Sequence, residues 1–113
     1  MKLSEAILKG SEMVLPNRGE LIELGYEDEI LSACALGAAL VGTLGIQATI
    51  EAYNADSEDN QLTQLYPVLR QPPPPQLPDA RSHLILHGWV VHNNDELGLS
   101  REEIAEKLRE VGL

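Results

Sequence analysis

Residues 30–46, ILSACALGAALVGTLGI, run for seventeen positions without a charge and are rich in Ala, Leu and Gly. How this stretch is read decides the fold. A membrane-spanning helix needs about 20 apolar residues. This run is shorter, carries Ser32 and Thr43, and is preceded by Glu27, Asp28 and Glu29 rather than by basic residues. The sequence therefore predicts a central helix, apolar around its whole circumference because neighbours in a small bundle cover every side. Its small residues Ala33, Gly37, Ala38 and Gly42 let a second helix approach closely. That helix can come from the same chain, the simpler case, or from across a dimer.

On the amino side of this stretch, Leu3, Ile7 and Leu8 recur at helical spacing. Ser4 is the expected cap of a short helix reaching about Met13 and weakened by Gly10. Pro16, Asn17, Arg18 and Gly19 are turn residues, so residues 15–28 read as a surface connection, with room for one helical turn or a short strand in GELIEL.

On the carboxyl side, the helix is expected to continue a few residues past position 47 and to end in a solvated loop over the polar residues 54–60. Leu62, Leu65, Tyr66 and Leu69 then allow a helical turn or two, which Pro67 forces either to begin near Tyr66 or to stop at Leu65. Pro72, Pro73, Pro74 and Pro75 form a stiff polyproline strap between two helical halves. In residues 82–94, SHLILHGWVVHNN, the length and Ser82 as cap favour a helix, although Gly88, Val90 and Val91 suit a strand.

The last segment carries the clearest local signals. Ser100 and Glu103 have capping-box spacing, Leu99 and Ile104 have staple spacing, and Gly112 follows the last turn. Glu102 and Glu103 open the helix, and Lys107 and Arg109 close it, as the helix dipole favours. The expected fold is mostly α, a single helical bundle over residues 1–113 with a proline-rich connection and a C-terminal helical hairpin. Trp89, Leu84, Val91, Ile104 and Leu108 are expected to join Leu36, Leu40 and Leu44 in the core.

Charge and cysteine usage then bound the function. The chain has 18 acidic against 8 basic side chains, a formal net charge of -10, shared between the halves as -6 over residues 1–56 and -4 over residues 57–113. Such a surface repels phosphates, which opposes direct nucleic-acid binding. An acidic mimic of DNA, occupying another protein's DNA site, is a minor alternative. Cys34 stands alone, so neither an internal disulfide nor a cysteine-built zinc site is available. A reducing, cytoplasmic setting is the expectation, with no signal peptide in MKLSEAILKGSEM.

Few residues invite chemistry. On a continuous helix His83 and His87 lie one turn apart, as in a two-histidine metal site, whereas His92 falls on the opposite side. A metal-binding protein or metal-dependent enzyme built on His83 and His87 is the alternative reading. Residues 93–98 imitate a calcium loop at positions 1, 3 and 6, but Leu97 and Ile104 occupy positions 5 and 12, where oxygen ligands belong. His92, Asn93, Asn94 and Asp95 instead suggest a turn of possible functional use, with side chains bonding the local backbone. Cys34 among Ala and Leu reads as a small buried hydrophobe rather than a thiolate. Residues 98–112 look like the first helix of a helix-turn-helix without the recognition helix. No cofactor is expected.

Three blocks, ACALGAALVG (residues 33–42), YPVL (residues 66–69) and HNNDELGLSREEIAEKL (residues 92–108), cover 31 of the 113 residues. In this order they resemble a family of small uncharacterised proteins of bacteria and their phages. The resemblance implies a helix, an Asn-Asp turn and a Ser-capped helix in the last block. It also implies a cysteine pair of zinc-knuckle type between the second and third blocks, where this chain has PPPPQLPD, so proline stiffness takes the place of a metal. A tryptophan of the family pattern is Lys107 here. The resemblance brings a fold and no activity. The functional expectation is a non-catalytic interaction or regulatory protein that self-associates or meets an unknown protein partner, away from membranes.

Overall fold

The computed structural model describes residues 1–27 and 29–113. Asp28, within the expected surface connection, lies outside the described residues. Six α-helices and a small three-stranded sheet follow one another as α1 (Leu3–Ser11), β1 (Leu15–Pro16), β2 (Ile22–Leu24), β3 (Ile30–Ala33), α2 (Ala35–Leu44), α3 (Ile46–Asn54), α4 (Glu58–Leu65), α5 (Leu86–Asp95) and α6 (Arg101–Glu110). Short 3-10 turns occupy Pro67–Arg70 and Ala80–Ser82. The domain is mostly helical, as its sequence predicts.

The uncharged stretch is divided between three elements. Its first four residues are β3, which pairs in parallel with β1 (Leu15 beside Ser32) and antiparallel with β2 (Ile22 beside Ala33). Only residues 35–44 form the buried helix, and Gly45, at φ +87°, turns the chain so that α3 leaves α2 at 119°. A left-handed φ at this point is cheap only for glycine. No single helix among the described residues is long and apolar enough to cross a membrane.

Helix α2 is buried from Ala35 to Gly42, and α1 lies against it with backbone almost touching backbone. A Cβ on Gly42 would collide with the carbonyl oxygen of Ala6, and one on Gly10 with that of Ala38. Gly37 meets the carbonyl of Leu21 in the same way. The small residues thus serve close packing within the chain, and Ala33, Gly37, Ala38 and Gly42 are covered.

Several boundaries differ from expectation. Ser4 does not cap α1, whose cap position is Lys2; its hydroxyl and its N–H both donate to the Leu113 carbonyl. The polar residues 54–60 are not all loop, because α4 starts at Glu58, where Glu58 and Asp59 suit a helix N-terminus. It stops at Leu65, and Pro67 opens the following 3-10 turn. Helix α5 begins at Leu86 rather than near Ser82. Leu86, Trp89 and Val90 are buried in the core, whereas Leu84, ahead of the helix, is 91% exposed, the reverse of its expected place.

The core joins Leu3 and Ile7 of α1, Leu36 and Leu40 of α2, Leu62, Leu69, Leu86, Trp89, Ile104 and Leu108. Leu44 and Val91 pack at its margin. The proline strap is latched to it: Trp89 Nε1 donates to the Pro78 carbonyl at 2.8 Å, the Leu86 N–H donates to the Gln71 carbonyl, and Leu77 is buried. Helix α6 carries the full capping box, with Glu103 N–H donating to Ser100 Oγ and Ser100 N–H to Glu103 Oε1.

Candidate functional site

Residues 92–95, expected as a turn, form the last turn of helix α5, at a junction with α6, α2 and the loop after β1, and the polar side chains of Asn93, Asn94 and Asp95 are engaged in holding the fold. Asn94 Oδ1 accepts from the Ala35 N–H and so caps α2 from another helix, which leaves Cys34, in the cap position of α2, without that task. Asn94 Nδ2 donates to the Asn17 carbonyl and to Asp95 Oδ1, which also accepts from the Gly19 N–H. Asn93 donates to the Trp89 carbonyl. These are long-range bonds as well as local ones, and Asn93, Asn94 and Asp95 are the last three residues of α5.

Next to this turn sits the residue that sequence reasoning missed. Arg101, the first residue of α6, is 5% exposed, and its guanidinium donates to the carbonyls of Ser11, Val14, Leu15 and Ala33 at 2.8–3.3 Å. It has no carboxylate partner among the described residues. Burial lowers its pKa from the ordinary arginine value, and Glu102 opposes that effect. One signal was available: a cation in the first turn of a helix opposes the helix dipole and needs a reason. Here the reason is that four carbonyls, from α1, the β1 region and β3, converge on it.

Above this junction an open cleft of about 400 Å³ is lined by Asn17, Arg18, Asn94, Ser100, Arg101 and Glu103, among others. Arg18 donates to the Gly98 carbonyl there, and Ser100 Oγ accepts from the Glu103 N–H in the capping box. The cleft gathers no nucleophile with a base.

The three histidines are not arranged as a single helix would place them. His83 lies on extended backbone before α5, so the expected one-turn relation to His87 does not hold. His87 Nε2 instead faces Asp59 of α4 at 3.8 Å. The chain folds His83 back over α5, where its ring centre is 5.0 Å from that of His92. His92 Nδ1 lies 3.3 Å from Glu96 Oε2. No group of three or more His, Cys, Asp or Glu side chains suited to a metal ion occurs among the described residues.

A smaller cavity of about 150 Å³ is lined by Cys34, Asp59, His87 and Asp95, among others. Burial pushes the Cys34 thiol above its ordinary pKa, and the backbone N–H groups of Gly37 and Leu36 oppose this only in part. A thiol so held is a poor nucleophile.

No family model, curated protein or solved structure matches the chain.

Proposed function

We propose that the protein acts by binding another protein chain, in the first instance a second copy of itself, and not by catalysis. The observation that carries this reading is the apolar edge of the small sheet. Leu15 is 70% exposed on the edge strand β1 and Met13 is exposed two residues upstream, whereas Leu31, next to Leu15's register partner Ser32 on the central strand, lies on the opposite face of the sheet. Large apolar side chains gathered on an otherwise acidic surface favour association. A two-fold pairing needs only this one patch on each copy. It also brings uncharged surface together on a chain whose net charge is -10.

Sedimentation velocity tests the reading. A dimer is expected, tightened by added salt because salt screens the mutual repulsion. Leu15→Glu combined with Met13→Glu should give a monomer with unchanged helical content. A wild-type chain that stays monomeric at every salt and protein concentration would sink the self-association.

A further inference from the structure

We infer that the cleft at the start of α6 binds a small zwitterion of the α-amino-acid class, its carboxylate held by Arg18 and Arg101 and its ammonium by Glu102. The site is independent of the self-association proposed above. It starts from the unused capacity of Arg101. A guanidinium has five N–H donors, and the carbonyls of Ser11, Val14, Leu15 and Ala33 engage those on Nη1 and Nη2 only. The Nε–H has no acceptor among the described residues. Nor is it sealed in the core, because the fully buried side-chain atoms without a partner belong to Glu58 and His83. A side chain only 5% exposed, whose charge meets no carboxylate and which keeps one free donor, therefore lines an open cleft of about 400 Å³.

Further donors border the cleft. Arg18 donates only to the Gly98 carbonyl, at 3.3 Å, and has no carboxylate partner among the described residues. Its guanidinium rests on Gly98, where a Cβ would stand 3.0–3.2 Å from three of its atoms and displace it. In the first turn of α6 the N–H groups of Arg101 and Glu102 also lack an acceptor, since the capping box takes up only those of Ser100 and Glu103. Forked guanidinium donors and the start of a helix both favour a carboxylate.

The rest of the lining selects a zwitterion over a simple anion. Glu102 and Glu103 border the same cleft and the chain carries a net charge of -10, so a net anion meets repulsion that a neutral ligand avoids. Glu103 is committed to the capping box. Glu102 is paired with no cation, yet it is near enough to Arg101 to counter the effect of burial there. It is the acceptor for an ammonium set next to a carboxylate on the two arginines. Pro16 and Leu99 supply an apolar wall for an aliphatic side chain. The volume is that of small-molecule sites, which span about 300–1,000 Å³.

The test is a titration of the ¹⁵N-labelled full chain with leucine, followed by NMR. The Nε–H resonance of Arg101 and the backbone N–H resonances of Arg101 and Glu102 are expected to shift and to saturate. Leucinamide lacks the carboxylate and isocaproate lacks the ammonium, so each loses one charge-assisted contact and should bind about tenfold more weakly. Arg18→Gln and Glu102→Gln should each cost a similar factor, whereas Arg70→Gln, away from the cleft, should leave binding unchanged. Arg101 is read through its own resonance rather than replaced, because the fold depends on it. Leucine that shifts none of these resonances at any concentration overturns the site. So does isocaproate that binds as tightly as leucine, or an affinity that survives both Arg18→Gln and Glu102→Gln.

Discussion

The packing of α1 on α2 and the junction around Arg101 both hold backbone against backbone, and they do so by opposite means. At the first, Ala6, Gly10, Ala38 and Gly42 remove side chains so that two helices nearly touch. At the second, a long cationic side chain reaches four carbonyls from three different segments, and Asn94 reaches a helix N-terminus. Small residues solve the problem where both partners are helices, whose backbone groups are already paired. Long polar ones are needed where a helix end, a loop and a strand meet, because each brings unpaired groups.

Removing the guanidinium should break this comparison most severely. Arg101→Met keeps much of the apolar stem but leaves the carbonyls of Ser11, Val14, Leu15 and Ala33 without that donor. A loss on the order of 3–5 kcal/mol is expected, read as a fall in the urea midpoint with the slope unchanged. Arg101→Lys should recover only part of it, since an ammonium has three donors and no planar fork. If Arg101→Met costs no more than a surface substitution, the junction is not held by these bonds.

Gly42→Ala tests the other side. Helix propensity alone favours alanine by about 1 kcal/mol. The collision with the Ala6 carbonyl should reverse that sign, for a net loss of about 1–3 kcal/mol and a Tm lower by several degrees. An unchanged or raised Tm would mean that α1 and α2 are not in backbone contact.

The two regions also differ in how far the sequence discloses them. Gly37, Ala38 and Gly42 announce close helix packing through composition and spacing, and Ser100 with Glu103 announces a helix start through local geometry. Both signals act within a few residues of chain. Ile30 to Ala33 read as helix because an uncharged apolar run is compatible with either state. They become a strand only because Leu15–Pro16 and Ile22–Leu24 arrive beside them. The polar role of Arg101 likewise depends on segments 68 to 90 positions away in sequence. Leu84 was misplaced for a subtler reason. Because α5 starts at Leu86 rather than at Ser82, Leu84 lies on the segment before the helix, which Trp89 ties to the strap by its bond to the Pro78 carbonyl.

The smallest effect should have the opposite sign and comes from a glycine outside both regions. Gly88 lies inside α5, but unlike Gly10, Gly37 and Gly42 it faces a side chain, with His83 Nδ1 at 3.8 Å from where a Cβ would stand. That distance is ordinary van der Waals contact, so Gly88→Ala adds no strain. It removes backbone freedom from the unfolded chain and should stabilise the protein by about 0.5–1 kcal/mol. Thermal unfolding of Gly88→Ala and Gly42→Ala, measured side by side, should therefore move in opposite directions although both replace a helical glycine by the best helix former. If Gly88→Ala also destabilises, then His83 lies closer to α5 than ordinary contact, and steric exclusion is not confined to the seam between α1 and α2.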